Sequence, residues 1–261
     1  MDGQGDNGLF VQERWERIHE VLEQDGRATV EELADRFNVS RSTIRRDLLE
    51  MHRLNLLVRT RGGAVKPVPV AFDRPLSVSE TLNLAAKAKI GQVAASLIAD
   101  GETVMVDAGS TTLQVVKHLE AVNITLVTNS FDAALCGMAN PNIDTMMVGG
   151  MIRSHGGATC GPMAEDQIRG FTADTAILGI NGVSVIEGLT TPNVLSAQMK
   201  KAMIRNSRRF IIVADSSKLG LAALCKVAPL ADAAMLVCDA DADAEDLAEL
   251  EAAGLEILIA K

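Results

Sequence analysis

The stretch from Ser40 to Glu50 carries groups suited to binding a nucleic acid. Ser40 is a favourable helix N-cap residue, and four side chains in the first two turns can bond a base edge or a phosphate. On a helical wheel, Leu48 and Met51 fall within about 40° of Ile44, which predicts a buried apolar stripe. The opposite face then carries Ser42, Arg45, Arg46 and Arg53. One buried stripe with outward arginines is typical of a recognition helix in a DNA major groove.

Two further helices are predicted to hold this helix in place. Residues 11–24 place Trp15, Ile18, Val21 and Leu22 at helical spacing, and Gly26 ends that run. The sequence from Thr29 to Glu32 is a capping box that starts a second helix. Its buried side is predicted to carry Val30, Leu33, Ala34 and Phe37. Asn55 is predicted to end the recognition helix.

A two-stranded ribbon is predicted after these helices. Residues 57–61 read as a short strand, and Gly62 and Gly63 as a tight turn into Ala64 and Val65. Three helices and a ribbon make a winged helix-turn-helix. The predicted DNA-binding residues are Arg41, Ser42, Thr43, Arg45, Arg46, Arg53, Arg59 and Arg61. The alternative is a small helical interaction module with a solvated arginine face.

Basic charge is concentrated around the recognition helix. Residues 36–66 contain eight basic and two acidic side chains, about +6, whereas the whole chain carries −9, so the rest sums to about −15. Because exposed charges beyond a Debye length of about 8–10 Å are screened at physiological salt, the local charge governs phosphate contacts. The acidic remainder favours solubility and disfavours DNA binding elsewhere.

The composition excludes several classes of protein. With 48% hydrophobic residues the chain of 261 residues is globular, and is large enough for a small domain and a larger one. No apolar run approaches the ~20 residues of a membrane span, and no leader is evident, so we expect a cytoplasmic protein. The scattered Cys136, Cys160, Cys225 and Cys238 indicate neither a disulfide framework nor a zinc site. Residues 1–8 are expected to be a flexible tail, and no cofactor is expected.

Beyond the ribbon, short apolar runs alternate with helical segments. A proline-containing linker, residues 67–83, precedes a predicted helix from Leu84 to Asp100. Strands are predicted at residues 103–106, 124–127, 145–148, 176–178, 210–213, 234–237 and 256–259. This alternation predicts a Rossmann-like, mostly parallel α/β domain over residues 84–261, after a winged helix-turn-helix over residues 9–66. The acidic run from Asp239 to Asp246 is interpreted as a solvated cap.

Ligands of such a sheet collect at the carboxyl ends of its strands. Those ends are rich in small polar residues at 109–112, 128–130 and 149–150, and Lys218 adds a cation. Residues 109–112 run into a helix N-terminus, where amide groups, hydroxyls and the helix dipole suit a phosphate. Each loop alone reads as an ordinary N-cap or turn. Together with the lysine, the loops favour a ligand site.

The N-terminal motifs resemble those of the DeoR family of bacterial transcriptional regulators. The similar stretches are residues 30–34, 43–48 and 62–64, and the match spans residues 12–65. Two positions depart from the family pattern: Asn55 stands where Gly is usual, and Arg61 where His is common. The resemblance implies a double-stranded operator DNA as partner and a homodimer or homotetramer.

The C-terminal motifs resemble the sensor domain of the same family, at residues 107–112, 127–130, 149–150, 188–191 and 214–218. That domain is similar in fold to ribose-5-phosphate isomerases. The resemblance implies a phosphorylated sugar as effector, with its phosphate near residues 110–112. Predicted effector-binding residues are Asp107, Gly109, Ser110, Thr111, Thr112, Thr128, Asn129, Ser130, Gly149, Gly150, Asn181, Gly182, Lys200 and Lys218.

Two departures in this domain argue for binding without turnover. Asn181 stands where many relatives and the isomerases have Asp, and residues 193–197 lack an acidic pair common before Lys200. Aldose isomerisation needs a carboxylate base, which an amide cannot replace. We therefore predict a non-enzymatic, sugar-phosphate-controlled repressor. The alternatives are an isomerase with a DNA-binding appendage, using Asp107 or Asp215 as base, and a constitutive DNA-binding protein whose C-terminal domain only oligomerises.

Overall fold

The computed structural model describes residues 11–53, 56–60, 62–66, 81–153 and 156–261, apart from the side chain of Arg53. The chain divides into two compact units, Met1–Pro69 and Val70–Lys261. The predicted tail, the helix end at Asn55, the wing residue Arg61 and residues 67–80 of the predicted linker lie outside the described residues.

The described part of the first unit contains three helices and three short strands. They are α1 (Val11–Asp25), β1 (Arg27–Thr29), α2 (Val30–Phe37), α3 (Arg41–Arg53), β2 (Val58–Thr60) and β3 (Gly63–Val65). The strands pair antiparallel in the order β1-β3-β2. The prediction of a two-stranded ribbon was therefore incomplete, because β1 is a three-residue strand with no periodicity of its own.

The predicted helix starts are confirmed. Thr29 and Glu32 form the reciprocal capping box of α2, and the Thr43 amide donates to Ser40 Oγ at 3.1 Å, so Ser40 caps α3. The stripe of Ile44, Leu48 and Met51 is at most 1% exposed. It packs in one core cluster with the apolar faces of α1 and α2.

The glycine pair before β3 has two separate physical causes. Gly62 has φ +89°, a conformation that L side chains rarely adopt. Gly63 has no room for a side chain, because a Cβ there would lie 2.1 Å from the Ala28 carbonyl oxygen of β1. The turn was predicted, whereas the close approach of β1 was not.

The second unit alternates strands and helices. Its elements are α4 (Leu84–Ala95), β4 (Thr103–Val106), α5 (Ser110–Lys117), β5 (Ile124–Thr128), α6 (Phe131–Met138), β6 (Ile143–Met147), β7 (Met151–Arg153), β8 (Ala158–Cys160), α7 (Pro162–Arg169), β9 (Ala173–Gly179), β10 (Gly182–Ser184), β11 (Gly188–Thr191), α8 (Val194–Arg205), β12 (Ser207–Val213), β13 (Cys225–Ala228), β14 (Met235–Asp239), α9 (Ala244–Ala252) and β15 (Ile257–Ala260). Short 3₁₀ turns cover Ser216–Lys218 and Leu230–Asp232.

Seven of these strands form a parallel sheet in the order β15-β14-β12-β9-β4-β5-β6. Alternate residues of each strand point into two core clusters. One cluster joins the sheet to α4, α5 and α6, and the other joins it to α7, α8 and α9. This three-layer arrangement confirms the predicted mostly parallel α/β domain.

Some details of the second unit differ from the prediction. The helix expected to reach Asp100 ends at Ala95, where Ser96 is the C-cap residue. The hairpin of β7 and β8 and the antiparallel sheet of order β10-β11-β13 were not predicted. Their strands have three or four residues, too few to establish an apolar period.

The structure also bears on the cysteines and on membrane-spanning helices. All four cysteines are free thiols, and burial raises the pKa of Cys238 far above its ordinary range. Among the described residues, no helix has the length and apolar character needed to cross a membrane.

Candidate functional site

The outward face of α3 is assembled as its periodicity predicts. Arg41, Ser42, Arg45 and Arg46 are exposed, while Ile44 on the opposite side is fully buried. Thr43 is half-buried. Guanidinium groups on such a face can donate in pairs to guanine edges or to phosphates.

Local contacts organise the first turn of α3. Ser40 Oγ lies 2.7 Å from Ser42 Oγ and 2.8 Å from Thr43 Oγ1, so the three hydroxyls share hydrogen bonds. Arg41 forms an ion pair with Glu31 of α2, and both side chains are mostly exposed. Exposed pairs of this kind are worth only about 0–1 kcal/mol, so a phosphate can displace the Glu31 carboxylate.

A buried ion pair that was not predicted fixes α3 against α1. Asp47 accepts from Nε of Arg14 at one oxygen and from Nη2 at the other, the latter at 2.9 Å. Trp15 Nε1 also donates to Asp47, at 3.1 Å. The hydrogen bond to Asp47 raises the pKa of Arg14 above its ordinary value. Position 47 borders the Ile44 stripe on the helical wheel, and that position was the available signal of a buried partner.

The predicted wing carries two basic residues whose side chains the structure describes. Arg59 on β2 is half-buried, and Lys66 pairs with Glu23 of α1 at 2.6 Å. The side chains of Arg53 and Arg61 lie outside the described residues, so their predicted contacts with DNA remain predictions.

In the second unit, two of the predicted loops interlock at the end of the parallel sheet. Thr128 donates to the Val106 carbonyl at 2.6 Å. Asn129 accepts from the Ala108 amide at 3.1 Å and donates to the Thr159 carbonyl at 3.0 Å. Ser130 caps α6 by accepting from the Ala133 amide. These groups therefore have structural partners, although a buried amide such as Asn129 keeps one further donor and one further acceptor.

The loop before α5 leaves amide groups uncapped. Gly109 is the N-cap residue of α5 and provides no side-chain cap. Thr112 is fully buried and donates to the Gly109 carbonyl at 2.9 Å, and Thr111 is nearly buried. Ser110 is half-buried. Ser110 and the first amides of α5 thus remain the groups best placed to meet an anion.

Asp107 and Lys200 form a buried ion pair next to this loop. Their side chains are 4% and 5% exposed, and Lys200 reaches from α8. Burial raises the pKa of Asp107, while the Lys200 ammonium and the nearby Arg153 guanidinium oppose the rise. Arg153 on β7 also donates to Ser196 of α8. Neither Arg153 nor Ser196 was predicted, because the β7–β8 hairpin was not recognised.

The predicted glycines lie where the backbone packs closely against neighbouring groups. The Gly149 amide donates to Gln167 Oε1 at 2.9 Å. Gly150 has φ +149°, and a Cβ there would lie 2.7 Å from the Cys160 carbonyl oxygen. At Gly182 a Cβ would lie 2.5 Å from the Leu221 carbonyl oxygen. The preceding Asn181 is exposed, and its Oδ1 accepts from Thr191 at 2.9 Å.

A second charged cluster surrounds Asp215, which is 2% exposed. Asp215 accepts from the Ser217 amide at 3.2 Å and from Asn83 Nδ2 at 3.0 Å. Burial alone would raise its pKa, but the Lys218 and Lys87 ammoniums and the hydrogen bonds from the Ser217 hydroxyl and the Asn83 amide outweigh it, and the pKa lies below the ordinary value. Lys87 on α4 is 4% exposed and was not predicted.

The start of the acidic run contradicts its interpretation as a solvated cap. Asp239 is 4% exposed and accepts from the Ser216 amide at 2.6 Å and the Asp241 amide at 3.0 Å. Asp243, by contrast, does cap α9. A cleft of about 290 Å³ lies beside Asp239, lined also by Asn83, Ser216, Asp241 and residues 84–86. This cleft was not predicted, because its walls come from residues more than a hundred positions apart.

Comparisons with known proteins identify the chain. Residues 14–69 match the DeoR-like helix-turn-helix domain, and residues 82–240 match the DeoR C terminal sensor domain. The chain belongs to the DeoR family. This regulator is 34% identical to the HTH-type transcriptional regulator GlpR of Haloferax volcanii, over 96% of this chain and 98% of that protein. It is 32% identical to the HTH-type transcriptional repressor GlcR of Bacillus subtilis, over 96% of this chain and 97% of that protein.

Another relative is the glycerol-3-phosphate regulon repressor of Escherichia coli, 34% identical over 80% of this chain and 82% of that protein. These relatives are named regulators or repressors, and none of the three is named an enzyme. A ribose 5-phosphate isomerase A from Methanocaldococcus jannaschii overlaps 52% of this chain and 54% of its own, with 21% identity and a TM-score of 0.38, too low to carry an inference. The DeoR-family chain is thus a DNA-binding transcriptional regulator.

Proposed function

We propose that the chain is a repressor whose affinity for operator DNA is controlled by a phosphorylated sugar, with α3 reading the operator. The observation that carries the effector assignment is the pairing of Asp107 with Lys200 beside Arg153 and the uncapped start of α5. Buried groups of this kind, gathered at the carboxyl ends of parallel strands, are typical of a ligand site.

The charges favour one orientation of the ligand. The centre around Asp107 carries two cations, Lys200 and Arg153, against one carboxylate, and the helix dipole of α5 adds positive potential. The cluster around Asp215 carries Lys87 and Lys218 against the carboxylates of Asp215, Asp239 and Asp241. A phosphate therefore belongs at the first centre, and sugar hydroxyls, which donate to carboxylates, belong at the second.

The spacing between the two centres suits a small phosphosugar. Asp107 follows β4 and Asp215 follows β12, and only β9 lies between these strands. At about 4.8 Å per strand, the ends of β4 and β12 are roughly 10 Å apart. One sugar phosphate can span that distance. We infer that the effector contacts both centres at once.

Control of DNA binding follows as a population shift. Family members that read two half-sites need two recognition helices about 34 Å apart, so a homodimer or homotetramer is part of the proposal. The oligomer can also adopt an arrangement in which its two recognition helices do not match the spacing of the half-sites. A ligand that binds more tightly to that arrangement shifts the population toward it and so releases the operator.

The decisive experiment measures binding of the full-length protein to a fluorescent fragment of its own promoter, with and without a panel of pentose and hexose phosphates. We expect one phosphosugar to release the DNA and also to stabilise the protein, by about 2.7 kcal/mol at a hundred times its dissociation constant. No release and no stabilisation by any compound would favour the constitutive alternative. Turnover of a compound, abolished by Asp107→Ala, would favour the isomerase.

Arg45→Ala and Arg46→Ala should each weaken operator binding by about 1–3 kcal/mol if the guanidinium reads a base, because a bidentate contact is lost. Fluorescence anisotropy at several salt concentrations measures this. A variant that loses only a phosphate contact instead reduces the steepness of the salt dependence. The slope of the logarithm of the binding constant against the logarithm of the salt concentration then falls by about 1 in magnitude. Arg17→Ala, an exposed arginine of α1, is the matched control and should leave the affinity nearly unchanged. Full affinity in both α3 variants would disprove the groove assignment.

Ser110→Ala combined with Thr111→Ala should weaken the effector response at least about tenfold, since a hydrogen bond to a charged group contributes roughly 1.5–3 kcal/mol. Operator affinity without effector should stay unchanged. Titrating the phosphosugar into the protein–DNA complex measures both values. Thr172→Ala, an exposed threonine before β9 and thus at the opposite end of the sheet, is the control. An unaltered response would remove the α5 loop from the site.

A further inference from the structure

Strand β6 is one edge of the seven-stranded sheet, and large apolar side chains stay exposed around it. We name this surface the methionine edge. It comprises Leu135, Met138, Met146, Met147, Met151, Ile152 and Met163. None of these residues takes part in the proposed DNA or effector contacts.

The elements that carry the methionine edge are neighbours. Helix α6 packs on β6 so closely that a Cβ at Gly137 would lie 2.5 Å from Thr145 Oγ1. Only residues 148–150 separate the end of β6 from β7. Helix α7, which starts next to Met163, is joined to that connection by the bond between Gln167 and the Gly149 amide. The surface therefore wraps continuously around the edge of the sheet.

The exposed area matches what a stable dimer needs. The seven side chains are between 37% and 73% exposed. If each residue has roughly 200 Å² when fully exposed, the surface presents about 800 Å², against about 800 Å² per partner in a standard interface. The largest apolar patch of a typical monomer is only about 300–600 Å². Such an area indicates that the methionine edge is covered in the working protein.

The charge of the chain indicates what covers it. Two copies that each carry −9 repel one another over most of their surfaces. The seven residues of the methionine edge are all uncharged, so they add no like charges to a contact between two copies. The exposed Asp144 of β6 has to lie outside that contact or stay hydrated. A two-fold axis sets the same surface of each copy against the other, so the apolar side chains of one copy can pack on those of its partner.

We propose that the methionine edge is an isologous interface with a second copy of this chain, formed by β6, α6, β7 and the start of α7. The Met side chains adapt their shape to the partner, as flexible thioethers do in irregular apolar contacts. Each copy then contributes one DNA-reading unit to the assembly.

Sedimentation velocity of the full-length chain at micromolar concentration tests the proposal. Ile152→Glu and Met163→Glu each put a charge into the interface, and each should weaken self-association at least about tenfold and lower the measured mass to half or less. Met138→Glu does the same from α6, so the test does not depend on one element. All three side chains are more than 60% exposed, and unchanged melting curves should show that the variants fold.

Ile186→Glu is the matched control, because Ile186 is 85% exposed and lies between β10 and β11, outside the methionine edge. It should keep the wild-type mass. A wild-type chain that sediments as a monomer would overturn the proposal, and so would folded variants of the methionine edge that keep the wild-type mass. Neither result depends on the identity of the effector.

Discussion

Replacing Lys200 by methionine is expected to lower the free energy of unfolding of the second unit by about 3–5 kcal/mol, the usual cost of removing one partner of a buried ion pair. The substitution leaves the Asp107 carboxylate 4% exposed and without its ammonium. The effector response should be lost at the same time, because Lys200 is a proposed phosphate ligand. Urea unfolding followed by far-UV circular dichroism measures the stability.

Two further variants separate the ion pair from a general loss of packing. The double variant Asp107→Asn with Lys200→Met should recover most of the lost stability, since the amide has nearly the shape of the carboxylate and carries no charge. It should bind operator DNA but fail to release it. Lys201→Met, one position along α8, should change the stability by less than about 0.5 kcal/mol. A single variant as stable as the double variant would refute the role of the pair.

The Lys200→Met defect should also depend on pH. Burial already raises the pKa of Asp107, and loss of the ammonium, which lowers it, raises it further. A carboxyl group whose pKa is higher in the folded protein than in the unfolded chain binds more protons when folded. The deficit is therefore largest above the raised pKa and shrinks as the pH falls toward the ordinary value. A deficit that grows on acidification would contradict this explanation.

The sequence predicted those helices and strands in which apolar residues form one regular local pattern. The stripe of Ile44, Leu48 and Met51 and the apolar strands of the parallel sheet are of this kind. Three-residue strands such as β1 and β7 have no period, so they were missed, and Arg153 was missed with β7. Their positions depend on strand pairing, which is decided by the whole fold.

The sequence also did not predict which polar side chains pair with one another in the folded protein. Asp107 and Lys200 were each predicted as ligand groups, but their pairing joins positions 93 residues apart. Asn129 was predicted as a ligand group, and the structure shows its amide also linking two loops. Side-chain type and loop position predict that such a group has a partner. They do not predict which partner, because that depends on tertiary packing.

Replacing Asp47 by alanine is expected to have the largest effect on the first unit. Arg14 is 6% exposed, so the change removes the Asp47 carboxylate from a buried guanidinium and from Trp15 Nε1. Breaking a buried pair costs about 3–5 kcal/mol. At roughly 0.05–0.15 kcal/mol per residue, a unit that spans Met1–Pro69 has about 3–10 kcal/mol in total. The loss is a large part of that stability, so operator binding should fall with it.

The chain offers a specific probe for this loss. It contains one tryptophan, Trp15, and no tyrosine, so its intrinsic fluorescence above 300 nm reports the first unit. In urea the fluorescence midpoint of Asp47→Ala should move to lower concentration, while the circular dichroism signal, dominated by the larger second unit, should change little. Asp35→Ala, an exposed carboxylate of α2, should leave both midpoints in place. Arg14→Met with Asp47→Leu should restore much of the stability, because matched apolar residues replace a buried ion pair at little cost. An unmoved fluorescence midpoint in Asp47→Ala would show that the pair does not hold α3 against α1.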